Sequence, residues 1–329
     1  MKTFRWGIVG PGSIAEEFVK DLAFVKNGKH SVKSILSDNA EHAKIFAEKF
    51  NVANIFTDMQ TFLQSKVDAV YIATPHTLHY EQALACLEFK IPVLCEKPIT
   101  INQKQLLHLT DTAVTYNTFF MEGMWIRFLP SIKKVLELIR QHKIGDITSV
   151  KASISYRAPK VRESRYFNPD LGGGSLLDLG MYPAFLATLL LGKPSAVKAV
   201  AAVSDRGVDE ACSILLDYPD KQYAMLESSL ITKSDLIAEI VGQKGKIKIL
   251  SPWNETPEAI QLDVYDDYKV EYPCRWEGRG FQFEVDEMIQ CLNSGTIEST
   301  LMPHELSMQV MEIMDEVREQ VNVKYAAFE

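Results

Sequence analysis

The stretch Phe4–Ala15, FRWGIVGPGSIA, constrains this chain more than any other. Phe4, Trp6, Ile8 and Val9 make a short apolar run with β-branched members, the pattern of a buried strand. Gly10-Pro11-Gly12 ends it, and apolar residues at helical spacing follow from Glu16 to Leu22. A glycine turn between a strand and a helix is the setting in which a GxGxxG/A pattern carries meaning. Its positions here are Gly10, Gly12 and Ala15. Gly10 allows a tight turn, Gly12 lets a pyrophosphate approach the backbone, and Ala15 lets the helix pack close to the strand. The anion would rest on N–H groups at the helix N-terminus, around Ser13 and Ile14. The alternative is an ordinary strand-to-helix turn.

Val32–Leu36, Val67–Ala73, Ile91–Cys95 and Phe119–Met121 read as further strands. Ala40–Phe50, Gln60–Gln64, Leu78–Leu87 and Asn102–Tyr116 read as helices between them. This alternation predicts a parallel sheet with helices on both faces. Such sheets bind ligands at the C-terminal ends of their strands. Gly10–Gly12, Ser37-Asp38, Thr74–His79 and Glu96–Pro98 all fall at such ends, so they are predicted to converge on one crevice.

Asp38 bears on cofactor choice. A carboxylate after the second strand hydrogen-bonds a ribose 2′-hydroxyl, whereas an arginine there favours a 2′-phosphate. Asp38 stands farther from Gly10 than the usual spacing of about 20 residues, and Lys33 lies within the strand. The balance leans to NAD; the alternative is that Asp38 caps the helix from Asn39. His76 and His79 follow Pro75 in a turn with no third Cys or His ligand close by, so a metal site is not expected. They read instead as aimed at a nicotinamide or a substrate hydroxyl. His30, His42, His108, His142 and His304 read as scattered surface residues. In Glu96-Lys97-Pro98, a lysine at a buried strand end loses hydration, which eases proton exchange with a substrate oxygen. Pro98 would hold that turn rigid, with a cis bond as one way of doing so.

The 329 residues are enough for about two domains, and a net charge of −8 argues against a general grip on nucleic acid or anionic lipid. The five cysteines form no CxxC pair, and no signal segment is read ahead of the first strand. A reducing, cytoplasmic setting is the simplest expectation. The most apolar stretch, Phe185–Leu191, is too short to span a bilayer.

Past Glu122 the pattern changes. Met124–Phe128 groups Trp125, Arg127 and Phe128, and Pro130 opens a helix. Thr148–Arg157, Ala196–Val203, Ala211–Tyr218, Tyr223–Leu230, Ala238–Val241, Ile247–Leu250 and Ile260–Val264 read as short strands joined by turns. That predicts an open, mostly antiparallel sheet, one face of which needs a cover from a helix or a second subunit. Gly280–Asn293 and Glu305–Val321 read as closing helices. Within this half, Leu171–Pro183 reads LGGGSLLDLGMYP, three glycines leading into a helix from Ser175 to about Leu191. Asp178 and Tyr182 share one helix face. A phenol near a cation exchanges protons at neutral pH, and a carboxylate one turn away holds a hydroxyl. Singly, each has a plain alternative: Asp178 as a helix-dipole or capping carboxylate, Tyr182 as a core aromatic.

Several motifs now fit one family. They are Gly10-Pro11-Gly12-Ser13-Ile14-Ala15, Ser37-Asp38-Asn39-Ala40-Glu41-His42-Ala43, Ala73-Thr74-Pro75-His76 with His79, and Cys95-Glu96-Lys97-Pro98. Trp125-Ile126-Arg127-Phe128 and Gly172-Gly173-Gly174 through Asp178 to Tyr182 complete the set. Over nearly its whole length the chain resembles the glucose-fructose oxidoreductase / inositol dehydrogenase / rhizopine-catabolism (Gfo/Idh/MocA) family. Within it the resemblance is to the dimeric dihydrodiol and D-xylose dehydrogenases.

The resemblance implies an α/β protein. An N-terminal Rossmann doubly wound parallel sheet (1–122) would be followed by a C-terminal α/β domain with an open, mostly antiparallel sheet (123–329) for substrate and oligomerisation. It implies NAD or NADP as cofactor, hydride transfer to or from a carbinol or hemiacetal carbon of a sugar, polyol or diol, and a homodimer or higher homo-oligomer. By position Lys97 would be the catalytic lysine, Tyr182 the proton donor and acceptor, and Asp178 a substrate contact. Trp125 and Arg127 would border the nicotinamide. Two departures stand out: Tyr182 replaces the histidine of many relatives, and Asp38 replaces the arginine usual in NADP users. Two other readings remain on the same fold, a non-catalytic dinucleotide-binding sensor and a hydrolase or lyase that recycles a tightly held NAD.

Overall fold

The structure, a computed structural model, describes residues 3–161 and 164–328. The chain divides into two compact units, Met1–Trp125 with Glu277–Ser307, and Ile126–Trp276 with Met308–Glu329.

In the first unit the strands are β1 (Phe4–Val9), β2 (His30–Leu36), β3 (Asn54–Phe56), β4 (Ala69–Ile72), β5 (Val93–Glu96) and β6 (Phe120–Gly123). They form a six-stranded sheet in the order β3-β2-β1-β4-β5-β6, every pair parallel. The helices between them are α1 (Ser13–Asp21), α2 (Ala40–Phe50), α3 (Met59–Leu63), α4 (His79–Glu88) and α5 (Gln103–Tyr116). Their starts are legible in polar side chains: Asn39, Asp58 and Asn102 cap α2, α3 and α5 by accepting backbone N–H bonds. Strand β4 is buried throughout and β5 up to Glu96, as expected of a parallel sheet covered on both faces.

The division is not the single cut predicted at 122/123. The helix α8 (Phe281–Ser294) belongs to the first unit. Its head is tied to the end of α1, where the Asp21 carboxylate accepts the amides of Arg279, Gly280 and Phe281 at 2.8–3.0 Å. Phe281 then packs edge-on to Phe18 and stacks on Trp125. The bonds to Asp21 link residues more than 250 positions apart, so no local pattern announces them.

The second unit carries an eight-stranded sheet, order β14-β13-β12-β11-β7-β10-β9-β8. Its strands are β7 (Ile147–Ser155), β8 (Ala196–Val203), β9 (Asp209–Asp217), β10 (Tyr223–Ser229), β11 (Ala238–Gly242), β12 (Gly245–Ile249), β13 (Ala259–Val264) and β14 (Lys269–Pro273). All neighbours are antiparallel except β7 and β10. The cover predicted for one face is the helix α7 (Met181–Leu191), which packs on β7 and β10. The other face keeps Val200 71% exposed, Leu215 44% and Met225 50%. Helices α6 (Pro130–Arg140) and α9 (His304–Val321) are the remaining α-helices among the described residues.

Two expectations are corrected. The segment Pro169–Leu191, interrupted by a non-helical break at 172–174, is long and apolar enough by length and composition to cross a membrane, but 78% of its most apolar window is buried inside the protein. It packs in the core of the second unit. The remaining histidines are not all on the surface: Trp6 Nε1 donates to His30 Nδ1, and His304 Nε2 lies 2.9 Å from the Phe120 carbonyl. Burial lowers the His30 imidazole below its ordinary value.

Candidate active site

The turn after β1 has the form its glycines predict. Gly10 sits at φ +84°, and a Cβ there would lie 2.6 Å from the Thr74 methyl and 2.8 Å from the Thr74 nitrogen. Both the backbone angle and the approach of β4 therefore demand glycine. Gly12 is the opposite case, since a Cβ there would meet nothing within 4 Å. It starts α1 without any side-chain cap, Ser13 and Ile14 are exposed, and Ala15 is wholly buried against the sheet. An uncapped helix head beneath open space suits a pyrophosphate.

After β2, Ser37 Oγ accepts the Asn39 amide, and Asn39 Oδ1 accepts those of Glu41 and His42. Asn39 is thus the cap of α2, and Asp38 is left exposed and available to a ribose. Lys33 Nζ is directed to the Lys66 carbonyl.

After β4, Thr74 Oγ1 donates to Gln82 Oε1 at 2.6 Å, and Pro75 leads into a short turn, His76–Leu78. His76 is 5% exposed and His79 not at all. The His79 ring nitrogens lie 2.8 Å from the Pro98 carbonyl and 2.9 Å from the Thr74 carbonyl. His79 is thus a tie between the ends of β4 and β5, not a side chain aimed at cofactor or substrate as its turn position predicted. The reason is that both ring nitrogens face backbone carbonyls, one of which takes the N–H of the neutral ring.

At the end of β5, the Lys97–Pro98 bond is cis. The Tyr71 hydroxyl donates to Glu96 Oε1, and Tyr71 is stacked 3.7 Å from Phe18. Burial pushes the Glu96 carboxyl up to about 7 against the Tyr71 bond and the Lys97 charge. Glu122, on β6 and 2% exposed, accepts the Ile99 amide and the Ser307 hydroxyl. Burial raises it too, and the Lys97 charge again opposes the rise. Lys97 therefore lies in the field of two buried carboxyls. Glu284, on α8, is a third buried acid in this region, its ionisation disfavoured by burial and then by Glu96. Trp125 is buried, and its indole N–H has no partner among the described residues.

Sequence reasoning missed Tyr71, Glu122 and Glu284. A signal existed for each: a phenol in VDAVYIA, an acid in FFMEGMW, and an acid on the apolar face of FQFEVDEMI.

In the second unit, the glycine run is a seat for a loop. A Cβ on Gly173 would lie 2.6–2.8 Å from backbone atoms of Arg165, Tyr166 and Asn168, and the Tyr325 hydroxyl donates to the Gly173 carbonyl. The loop so seated brings Arg165 to Asp178, both terminal nitrogens 3.3 Å from Oδ1, with the guanidinium 4.3 Å over the Tyr166 ring. Arg165 was not anticipated, and nothing in its neighbourhood of sequence marks it. It belongs to the loop Ala158–Asp170, of which Arg162 and Glu163 lie outside the described residues. The helix after Gly174 also differs from expectation. It opens with a π-helical turn, Leu176–Gly180, and becomes α-helical only at Met181. Asp178 lies in the wide turn, 6% exposed, and Tyr182 in the α-helix, 9% exposed. Arg127 is half-buried on the turn Trp125–Phe128.

Residues 4–124 match the oxidoreductase family with an NAD-binding Rossmann fold, and residues 132–248 match the GFO/IDH/MocA C-terminal domain. The chain belongs to the Gfo/Idh/MocA oxidoreductase family. This Gfo/Idh/MocA oxidoreductase is 32% identical to the trans-1,2-dihydrobenzene-1,2-diol dehydrogenase of Xenopus tropicalis, over 98% of its own length and 99% of the relative's. A 3-ketoreductase from Actinomadura kijaniata, in complex with NADP and TDP-benzene, matches with a TM-score of 0.84 at 26% identity, covering 97% of this chain and 98% of that one. A levoglucosan dehydrogenase in complex with NADH and levoglucosan shares the fold, with a TM-score of 0.86 at 19% identity over 98% of each chain. Membership decides for an enzyme over a non-catalytic sensor, and the cofactor of this Gfo/Idh/MocA oxidoreductase is NAD or NADP.

Proposed function

We propose that this oxidoreductase is an NAD(P)-dependent dehydrogenase acting on a carbinol or hemiacetal carbon of a sugar, polyol or diol. When bound, the dinucleotide would supply or take up the hydride. Gly10, Gly12, Ser13 and Ile14 hold its pyrophosphate at the head of α1, and Ser37 and Asp38 hold the adenosine ribose. Thr74, Pro75, His76, Glu96, Trp125 and Arg127 border the remainder, with His79 acting at one remove by fixing the Thr74 and Pro98 carbonyls. Asp178 accepts a substrate hydroxyl. Tyr182, assisted by Lys97, takes up and returns the proton of the reacting hydroxyl.

The observation that carries this reading is the end-to-end likeness to a diol dehydrogenase, in a chain whose turn at Gly12 is open for a dinucleotide. The test is a screen of aldoses, polyols and diols with NAD and with NADP, followed by nicotinamide absorbance. We expect net absorbance change with at least one substrate. Tyr182→Phe should lower kcat by about 10²–10⁴-fold with dinucleotide affinity intact. Undiminished turnover in that variant overturns the role of Tyr182. Turnover of substrate with no net nicotinamide change overturns the dehydrogenase reading in favour of a recycled cofactor.

The same reading extends to assembly and setting. The outer face of the second sheet joins two copies: it combines exposed Val200, Leu215 and Met225 with Lys151, Lys198 and Lys248 opposite in charge to Glu227 and Glu239. A two-fold axis across such a face can bring lysines of one copy to glutamates of the other. All five cysteines are unpaired thiols, which suits a reducing cytoplasm.

A further inference from the structure

We propose that Asp209 is a positioning residue of the reaction: through Ser175 and the Leu176 amide it holds the π-helical turn Leu176–Gly180, which sets the rotation of Tyr182 relative to Asp178. The inference rests on the reading that Asp178 and Tyr182 meet the substrate.

A π-helical turn contains one residue more than the α-helical turn it replaces, and its hydrogen bonding is poorer. It persists where the surroundings hold it. Here they hold it at both ends. Asp209, the first residue of β9, has no exposed surface. Its Oδ2 accepts the Ser175 hydroxyl at 2.6 Å and the Leu176 amide at 2.7 Å. The Ser175 hydroxyl also lies 3.0 Å from Ser228 Oγ on β10. Gly174, at φ +127°, leaves room for Asp209 Oδ1, which a Cβ there would approach to 2.4 Å. At the far end, a Cβ on Gly180 would come within 3.2 Å of Ser228 Oγ and of the Leu176 side chain. The wide turn is thus bracketed by β9 and β10.

The consequence is geometric. Relaxing the wide turn to α-helix shifts the downstream helix by one residue, a rotation of about 100° at 3.6 residues per turn. Asp178 lies before the end of the turn and Tyr182 after it. Their common presentation therefore depends on the turn, and the turn depends on a carboxylate that touches neither of them.

The test compares Asp209→Asn and Ser175→Ala with the wild type, measuring kcat, KM, dinucleotide affinity by fluorescence and the melting temperature. Assays run well below each variant's transition. Asp209→Asn is expected to lower kcat by about tenfold or more, as misplacement of a reacting group does, with dinucleotide affinity unchanged. Ser175→Ala, the milder change, is expected to lower kcat by about threefold on the same argument. Unaltered kcat in both variants, or a loss of kcat that tracks loss of dinucleotide affinity, overturns the proposal. If Asp209→Asn does not fold, Ser175→Ala decides. Failure of the underlying reading is separable, because then Tyr182→Phe itself keeps full turnover.

Discussion

Glu284 has no exposed surface, and neither of its carboxyl oxygens has a hydrogen-bond partner among the described residues. Burial, and then the charges of Glu96 and Asp21, hold it well above its ordinary value of 4.5. The native chain keeps a proton there that the unfolded chain gives up, so this group's share of stability falls as pH rises above that ordinary value. Glu284→Gln removes the fall. Its melting temperature should converge on that of wild type near about pH 4 and exceed it by about 2 °C or more near about pH 8. A difference that is the same at both pH values refutes the account. Asp38 presents a different residue-scale test. Since Asn39 caps α2, Asp38 has no part in starting that helix, and Asp38→Arg should leave stability near wild type. The ratio of kcat/KM for NADP over NAD should rise by about tenfold or more, because arginine pairs with a 2′-phosphate. An unchanged ratio removes Asp38 from the ribose site.

At the scale of elements, helix heads organise both units. The head of α1 is uncapped, while that of α8 is over-provided, with three amides on one carboxylate. The first suits an incoming anion and the second a permanent tie. Asp21→Ala should therefore cost about 2 kcal/mol, the upper end of the capping scale, because the amides it leaves are largely buried. The loss is read as a lower midpoint in denaturant, and a shift below about 0.5 kcal/mol would show that water replaces the carboxylate. The helix head at Ser175 follows the same logic, with Asp209 as the acceptor. Burial pushes Asp209 up to about 6, opposed by the Ser175 and Leu176 hydrogen bonds.

At the scale of the whole molecule, the outer face of the second sheet is where assembly can be tested. The wild type should sediment at about twice the chain mass of 37.1 kDa. Val200→Asp, at a side chain 71% exposed in the single chain, should shift it to one chain mass without lowering the melting temperature of the separated protomer. Sedimentation of the wild type at one chain mass refutes the pairing.

The order of strands and helices, the glycine turn and the strand ends that carry Asp38, Thr74 and Lys97 were legible in the chain, because each rests on local periodicity and on backbone angles that glycine alone adopts. Short β3, with three residues, and α8's place beside α1 were not. Nor were the place of His79 between two carbonyls, the buried acids Glu122 and Glu284, the reach of Arg165 to Asp178, and the π-helical turn. Each of these is settled by partners far away in sequence, whose burial and hydrogen bonds appear only when the elements pack. The sequence alone determined which residues could do chemistry; tertiary packing decided which of them are held by backbone, which stay in reach of a ligand, and how Asp178 and Tyr182 are turned. Local patterns encode propensity over a few residues, whereas desolvation and hydrogen-bond geometry depend on everything that closes around a side chain.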